Sequence, residues 1–357
     1  MVQSLLAPVH EWDAIICSSP SLRSTVIDTI DRWEAYLRQH LGAPLRLPRP
    51  QLPIIGFGTD VGRIANLAAD GAARVRRRTQ LGIGPDEVMI FSLGRLSYVD
   101  KAFPQAMFKA VHQAQQEGTG GVHFVMAGWF SDEKADRDRY QQAAERYCPQ
   151  VRVSFIDGND QQAIGECWAA ADVFLLLSDT IIETFGQALV EAMAAGLPLV
   201  VSDWDGYRWI VRDRVDGFLI PTLGAAPGPV GEALAMLEYT ESIGYAQYSG
   251  AVSAHTAVDV MAAGAALSRL IASPALRREL GEAARSRAQQ HFDWPVIVDQ
   301  YARLFDDLAE RRAWSEPAKR SAALNPLRDD PFASFRLLPT AVMTDEVTIR
   351  RGAVDSP

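Results

Sequence analysis

Two glutamates in the segment DTIIETFGQALVEAMAAGLPLVVSD (179–203) have side chains and a spacing that suit a polar ligand. Seven residues separate Glu183 from Glu191, and at about 1.5 Å of helix per residue their carboxylates would lie on the order of 10 Å apart. One carboxylate could accept hydrogen bonds from a sugar while the other holds the diol of a second sugar. The same spacing also describes two ordinary glutamates on an exposed helix, because glutamate is a common helix residue.

The start of this helix is the part of the segment that would face an anion. Thr184 and Gln187 have the spacing of a capping box, which predicts a helix that begins at Phe185 with Thr184 as its cap. Glu183 then precedes the helix, beside its free N–H groups and the positive end of its dipole. Gly186 in the first turn leaves room for a ligand to approach the backbone. We therefore expect a hydroxyl-rich ligand with an anionic middle.

A second group of polar residues lies upstream, in the segment FSLGRLSYVDKAFPQAMFKA (91–110). An apolar run ends at Gly94, and Arg95, a short loop and Lys101 follow before a helical stretch. Cations at the carboxyl end of a parallel strand face the crevice in which such sheets bind ligands. A planar guanidinium and a compact ammonium together suit a diphosphate. The alternative is a pair of solvated loop cations.

Six short apolar runs provide the framework that would position these side chains. Amphipathic helical stretches separate the runs, and near-continuous apolar strands are typical of strands buried on both faces of a sheet. The alternation predicts an α/β fold with a doubly wound parallel sheet. The predicted strands are 88–94, 122–128, 151–157, 172–178, 197–203 and 216–222.

Two long helices are predicted after the sheet, followed by an irregular tail. Residues 273–292 and residues 293–312 each begin with a capping residue and a nearby proline, and their apolar positions recur at helical spacing. Residues 313–357 contain prolines and mixed charges without periodicity, which predicts irregular structure.

The front of the chain contains few regular elements. Residues 12–19 are predicted to form a strand, 22–41 a helix and 43–60 a proline-rich linker. One strand and one helix cannot close a core of their own. Either these elements dock onto the large domain, or the rest of their own domain is absent.

The glutamate segment resembles the signature of the family 4 glycosyltransferases, a large retaining group with the GT-B fold of two facing Rossmann-like domains. The match consists of the E-x7-E spacing, the Phe-Gly pair after the first glutamate, and the pattern A-x-A-x-G-x-P before the next strand. The resemblance implies that Glu183 contacts the donor sugar and that Glu191 holds the ribose hydroxyls. It places Thr184, Phe185 and Gly186 near the sugar and phosphate as donor-binding residues.

The segment around Arg95 resembles a second motif of the family, G-R-L followed by a lysine. One more residue separates Arg95 from Lys101 than in the commonest form. The resemblance implies that Arg95 and Lys101 act with Glu183 as the catalytic group, and that Gly94 belongs to the donor site.

Three further segments are similar to parts of the family. Residues 53–60 (PIIGFGTD) resemble the interdomain linker, which usually reads P-N-G-V-D, and residues 291–305 resemble the C-terminal helix that crosses back toward the first domain. The segment 202–222 corresponds to a loop that commonly reads G-G-x-x-E before the final strand.

That last loop departs from the family pattern, because Trp209 stands where an acidic residue is usual. A tryptophan there serves either packing or function. Asp203, or alternatively Asp205, would then supply the acidic contact to the donor.

The resemblance covers roughly residues 50–312, which is one of the family's two domains. We accordingly divide the chain into residues 1–60, the remnant of an acceptor domain with its linker; residues 61–312, a nucleotide-sugar-binding domain with C-terminal helices; and the tail 313–357. The rest of the acceptor domain would be missing through a wrong start codon or a gene truncation, or would be supplied by a separate chain.

The function implied by the resemblance is transfer of a hexose-type sugar from a nucleoside-diphosphate sugar to a hydroxyl acceptor with retention of configuration, in polysaccharide or glycoconjugate biosynthesis. Arg95, Lys101 and the helix start would stabilise the charge on the departing diphosphate. No metal or other cofactor is expected, because no metal-ligand cluster is recognised near the motifs. The alternatives are a nucleotide-sugar-binding partner or regulatory subunit that transfers nothing, and a sugar-nucleotide epimerase, whose acid–base carboxylate and histidine set the sequence does not display.

Composition narrows the remaining classes of function. A formal net charge of -9 argues against broad binding to nucleic acid. The three cysteines lack metal-type spacing and are expected to be buried, reduced thiols. No run approaches the roughly 18 apolar residues of a membrane span, and no signal peptide is recognised. We expect a cytoplasmic protein with at most peripheral membrane contact.

Overall fold

The computed structural model describes residues 9–42, 44, 46–98, 101–118, 120–315, 330–334, 336–339, 343 and 346. The chain divides into two units, residues 1–308 and 309–357. Its elements in order are α1 (Pro20–Leu41), α2 (Val61–Ala68), α3 (Gly71–Leu81), β1 (Val88–Leu93), α4 (Pro104–Glu117), β2 (Val122–Gly128), α5 (Ala135–Tyr147), β3 (Arg152–Asp157), α6 (Gln161–Ala170), β4 (Val173–Leu176), α7 (Gln187–Ala195), β5 (Leu199–Ser202), α8 (Tyr207–Ile210), β6 (Gly217–Ile220), β7 (Thr222–Leu223), α9 (Pro229–Tyr239), α10 (Tyr245–Ser253), β8 (Ala257–Val258), α11 (Val260–Ala272), α12 (Pro274–His291), α13 (Trp294–Trp314) and α14 (Pro331–Ser334).

The main sheet has six parallel strands in the order β3-β2-β1-β4-β5-β6. All six predicted strands are confirmed, and the predicted α/β, doubly wound parallel fold is confirmed with them. Helices cover both faces: α4 packs against α5 and α11, while α2 packs against α6 and α7. The strand order reverses between β1 and β4, and ligands of such sheets bind in the crevice outside the carboxyl ends at this point.

The core explains why the strand sequences are apolar along their whole length. Phe91 of β1 and Phe174 of β4 are fully buried, and their ring centroids lie 6.3 Å apart in an edge-to-face arrangement. Trp168 of α6 packs edge-to-face on Phe91 at 5.0 Å. Such offset aromatic pairs are favoured over face-to-face stacking, and they hold the two strands that flank the crevice in a fixed relation.

A close backbone contact fixes the position of the chain where it leaves β1 and β2. The N–H of Gly94 donates to the carbonyl of Ala127 at 3.0 Å, and the N–H of Gly158 donates to the carbonyl of Gly128 at 2.8 Å. A Cβ at Gly128 would lie 1.9 Å from the carbonyl oxygen of Gly94. Only glycine permits this approach, which fixes the chain just before Arg95.

The front of the chain docks onto the large domain. Helix α1 is confirmed, but the predicted strand 12–19 is wrong: it forms only isolated parallel bridges to the segment 51–54. This partner segment contains Pro53, which has no N–H to donate, so one hydrogen bond of the ladder is missing between the two bridges. Side chains from the bridged segment pack against a small cluster formed by Ile55, Ile297 and Leu304.

The predicted helices after the sheet are confirmed as α12 and α13, with α13 continuing to Trp314. Most of the tail 313–357, which was predicted to be irregular, lies outside the described residues. In its described part, α14 is the only helix besides the end of α13. Among the described residues, no helix combines the length and the apolar character needed to cross a bilayer.

Replacement of Gly128 by alanine should lower the free energy of unfolding by about 1–3 kcal/mol or more, since the added methyl group collides with a backbone carbonyl that cannot move aside. Urea unfolding measures the change. Gly231→Ala, in the first turn of α9 where a Cβ would meet nothing within 4 Å, is the matched control and should be neutral or stabilise by about 0.5 kcal/mol. Equal effects of the two substitutions would contradict the packing argument.

Candidate functional site

The loops that follow β1 and β4 meet at the crevice through an ion pair. The Nζ of Lys101 donates to Oε2 of Glu183, and both side chains are largely buried. The stem of Lys101 runs past Gly94, where a Cβ would lie 2.9 Å from its Cε. The structure therefore brings together Gly94, Lys101 and Glu183, which were predicted from two segments that lie far apart in the sequence.

Arg95 lies at the same carboxyl end of β1. The residue is half-buried. Its backbone is held on both sides, because the N–H of Gly94 is bonded to Ala127 and the N–H of Leu96 donates to the carbonyl of Trp129 at 3.0 Å. The backbone that carries the Arg95 guanidinium is therefore fixed at the carboxyl ends of β1 and β2.

Two buried polar residues after β4 anchor the Lys101 loop. The hydroxyl of Ser178 donates to the carbonyl of Lys101 at 3.0 Å, and the N–H of Phe103 donates to Oδ2 of Asp179 at 3.3 Å. Sequence analysis missed Ser178 and Asp179. Their position directly after a buried strand was a signal that could have identified them, since the carboxyl ends of parallel strands line the ligand crevice.

The carboxyl group of Asp179 has an unusual environment. It is almost completely buried, and burial raises its pKa to about 7, against the opposing effect of the Phe103 N–H and of its own N–H. Burial disfavours the charged carboxylate, so the neutral acid is stabilised near neutral pH.

Glu183 has a second partner that the sequence did not reveal. The hydroxyl of Tyr207 donates to Oε2 of Glu183 at 3.2 Å. Tyr207 has no exposed surface, and burial raises its pKa well above the usual value, with a further rise from the negative charge of Glu183. It lies in the segment 202–222, for which the sequence analysis singled out only Trp209, Asp203 and Asp205.

The predicted start of α7 is wrong. Thr184 does not cap a helix at Phe185; the helix begins at Gln187 after Gly186, which has φ 100° and ψ 62°. This left-handed backbone cannot be part of the helix. The side chain of Gln187 donates to the carbonyl of Gly58 at 3.0 Å instead of closing a capping box.

The space predicted beside Gly186 is filled by Tyr207 on the side where a side chain would project. A Cβ at Gly186 would lie 2.5 Å from Cε1 of Tyr207. The neighbouring Phe185 is 2% exposed and packs edge-to-face against Trp209, with ring centroids 6.2 Å apart, and against Phe292. Trp209 thus contributes to aromatic packing, the first of the two roles left open for it.

Glu191 lies one turn into α7 and lines a separate cavity of about 200 Å³. Leu93, Trp168 and Gln161 also line it. Because Leu93 directly precedes Gly94, this cavity lies close to the loop that carries Arg95. Burial raises the pKa of Glu191, and the positive charge of Arg63 opposes that rise.

Asp203 and Asp205 have different surroundings. Asp203, at the end of β5, pairs with Nε of Arg208 at 3.0 Å and is half exposed. Oδ1 of Asp205 accepts a hydrogen bond from the hydroxyl of Ser19 at 2.8 Å. Burial raises the pKa of Asp205; the Ser19 hydroxyl and Arg208 oppose this, and the negative charge of Glu183 adds to it. Glu183 therefore lies close enough to Asp205 to add to the rise of its pKa.

In the described part of the chain, no group of three or more His, Cys, Asp or Glu side chains is arranged to hold a metal ion.

The central part of the chain matches a known protein family. Residues 74–225 match the family described as Glycosyl transferases group 1. The matched segment covers 152 of the 357 residues of the chain. It contains all six strands of the main sheet together with Arg95, Lys101, Glu183 and Glu191.

Curated relatives are similar over part of their length. The phosphatidyl-myo-inositol mannosyltransferase of Mycobacterium tuberculosis (strain H37Rv) is 27% identical over 315 residues, which are 86% of this chain and 63% of the relative. A D-inositol 3-phosphate glycosyltransferase of Geodermatophilus obscurus is 30% identical over 242 residues, 64% of this chain and 49% of the relative. The chain thus spans about half to under two thirds of the length of these relatives.

Solved structures match the fold of the group 1 domain and its surroundings. Sucrose-phosphate synthase from Thermosynechococcus elongatus superposes with a TM-score of 0.54 at 24% identity, covering 83% of this chain and 58% of that one. Anabaena HepE in complex with UDP-glucose gives 0.52 at 20% identity, covering 84% and 64%. The fold is that of the GT-B glycosyltransferases.

The raised pKa of Asp179 predicts a specific dependence of stability on pH. Its ordinary value is 3.8 and its value in the folded protein is about 7, so the folded state keeps a proton that the unfolded chain releases in this window. The stabilisation is complete below pH 4 and is lost as pH rises through 7, by up to about 4 kcal/mol at about 1.4 kcal/mol per pKa unit.

Asp179→Asn keeps an oxygen acceptor for Phe103 but does not titrate, so its stability relative to the wild type should rise between pH 4.5 and 8. Urea unfolding at both pH values measures this. Asp28→Asn, on the exposed side of α1, is the control for loss of a surface carboxylate. A constant difference between Asp179→Asn and the wild type would show that Asp179 does not titrate in the window.

Proposed function

We propose that this chain binds a nucleoside-diphosphate sugar and belongs to a glycosyltransferase that moves the sugar to a hydroxyl acceptor with retention of configuration, in polysaccharide or glycoconjugate biosynthesis. The observation that carries the proposal is the contact of Lys101 with Glu183 at the carboxyl ends of β1 and β4, within a group 1 glycosyltransferase domain. These neighbours suit sugar transfer, because a cation can stabilise the leaving phosphate and a carboxylate can bind the hydroxyl groups of the sugar.

The nucleoside would occupy the cavity at Glu191. An ionised carboxylate accepts hydrogen bonds only, and a ribose diol offers two donors side by side. Burial raises the pKa of Glu191, so hydrogen bonds from a diol would restore the ionised form that burial disfavours. Leu93 and Trp168 supply the apolar wall that ligand cavities typically combine with a few polar groups.

The diphosphate would lie between this cavity and Glu183, opposite Arg95 and Lys101. The guanidinium can pair with two phosphate oxygens, and the ammonium acts as a point charge. As the sugar–oxygen bond breaks, negative charge grows on the diphosphate. Cations already held in place stabilise that charge without reorganising, and Lys101 is held by its ion pair with Glu183.

Glu183 would orient the sugar. Its Oε2 already accepts hydrogen bonds from Lys101 and Tyr207, which lowers the reactivity of the carboxylate as a nucleophile. We therefore assign it to the hydroxyl groups of the sugar and assign no covalent intermediate. The acceptor would be bound by parts of a GT-B protein that correspond to the portion of the relatives outside the matched length.

Donor binding is tested by a thermal-shift panel of UDP-, GDP- and ADP-sugars. A ligand at about 100 times its Kd stabilises the folded state by about 2.7 kcal/mol, so one base should raise the melting temperature clearly above the others. Glu191→Gln should abolish the rise, while Glu282→Gln, on an exposed position of α12, should retain it. No response to any donor would refute the proposal.

A second candidate function is a partner or regulatory subunit that binds the donor but transfers nothing. The relatives compared above are matched over at most 63% of their length, so donor binding and sugar transfer are tested separately. Release of free sugar or transfer to an added hydroxyl acceptor, measured on the same donor that gives the thermal shift, separates the two. Binding without either reaction selects the subunit.

A further inference from the structure

The hydroxyl of Tyr207 and the ammonium of Lys101 reach Glu183 on the same oxygen. Both donate to Oε2, Tyr207 at 3.2 Å. A carboxylate has two oxygens, each with acceptor capacity, so two donors on one oxygen fix the plane and the direction of the whole group. The position of the other oxygen, Oε1, is thereby fixed as well.

Tyr207 is suited to hold this position because its ring cannot move. It is completely buried, and its Cε1 lies where the side chain of residue 186 would begin if that residue were not glycine. Its backbone N–H donates to the carbonyl of Trp204 at 2.9 Å. The hydroxyl is therefore fixed relative to the turn that carries Glu183.

The loop before Tyr207 grips that turn at a second point. The indole N–H of Trp204 donates to the carbonyl of Thr180 at 2.9 Å, and the N–H of Glu183 donates to the same carbonyl at 3.2 Å. Backbone and side chain of Glu183 are thus positioned from the same loop after β5. That loop contains neither of the two cations proposed to bind the diphosphate.

Tyr207 acts as a donor throughout the neutral range. Its burial raises the pKa of the phenol, and the negative charge of Glu183 raises it further. The hydroxyl consequently keeps its proton and can satisfy the largely buried carboxylate, which would be costly to bury without hydrogen bonds.

We propose that Tyr207 is a positioning residue that aims Oε1 of Glu183 at a hydroxyl group of the donor sugar. The inference rests on the proposed function and deepens it: the loop after β5 determines the affinity for the sugar, separately from the affinity for the nucleoside diphosphate, which depends on Glu191, Arg95 and Lys101. Phenylalanine at this position keeps the ring but leaves the carboxylate held by Lys101 alone.

The test compares two probes on each variant, the nucleotide sugar with the largest thermal shift and the matching nucleoside diphosphate without sugar, by calorimetric titration. Tyr207→Phe should weaken binding of the nucleotide sugar roughly tenfold or more, since a hydrogen bond to a charged group is lost. Affinity for the nucleoside diphosphate should change by less than about twofold. Tyr301→Phe, whose ring packs against Phe305 on α13, is the matched control and should change neither affinity.

A double-mutant cycle with Glu183→Gln distinguishes positioning from general packing. In the Glu183→Gln background, Tyr207→Phe should lower the affinity for the nucleotide sugar by less than about twofold, because the oriented carboxylate is already gone. If Tyr207→Phe does not fold, Trp204→Phe replaces it, and loss of its bond to Thr180 should weaken the nucleotide sugar but not the nucleoside diphosphate.

The possible failures are distinguishable. If the wild type binds no nucleotide sugar, the proposed function falls. If the wild type binds but Tyr207→Phe leaves its sugar affinity intact, weakens both probes equally, or has the same effect with and without Glu183, the positioning role is overturned.

Discussion

The ion pair between Lys101 and Glu183 is the interaction on which the site depends. It joins the loop after β1 to the loop after β4, two strands that are neighbours in the sheet although the two residues lie 82 positions apart in the sequence. The reversal of strand order at these strands opens the crevice, and the ion pair spans it. Because both partners are largely buried, solvent screens their attraction less than it would a surface pair.

The ion pair requires support from residues that touch no predicted ligand. Ser178 and Asp179 hold the backbone of the lysine loop, and Tyr207 holds the carboxylate. Such groups restrict the rotamers of the residues they contact, and a site held within a fraction of an ångström depends on them. In this chain the lysine loop is supported from β4 and the glutamate turn from the loop after β5.

The N-terminal segment is connected to the same place. Ser19, the cap of α1, donates to Asp205, two residues before Tyr207. The positive end of α1 and a side chain of its cap therefore face the loop that positions Glu183. The docking of residues 12–19 on the cluster around Ile55 thus also fixes one end of a contact that reaches the site.

Local patterns in the sequence determined the six strands of the main sheet and placed α1, α12 and α13, because burial on both faces of a sheet demands continuous apolar runs and helix starts require particular residues. Helix α9 escaped notice because it buries none of its residues, so no apolar stripe distinguishes a packed face. Tertiary structure alone decided where α7 begins, since Gly186 has a left-handed backbone there and the ring of Tyr207 fills the space that a Cβ would take. It also decided that the pKa of Asp179 is raised to about 7 and that Tyr207 contacts Glu183, because burial and contacts between distant segments arise only when the sheet brings the strand ends together.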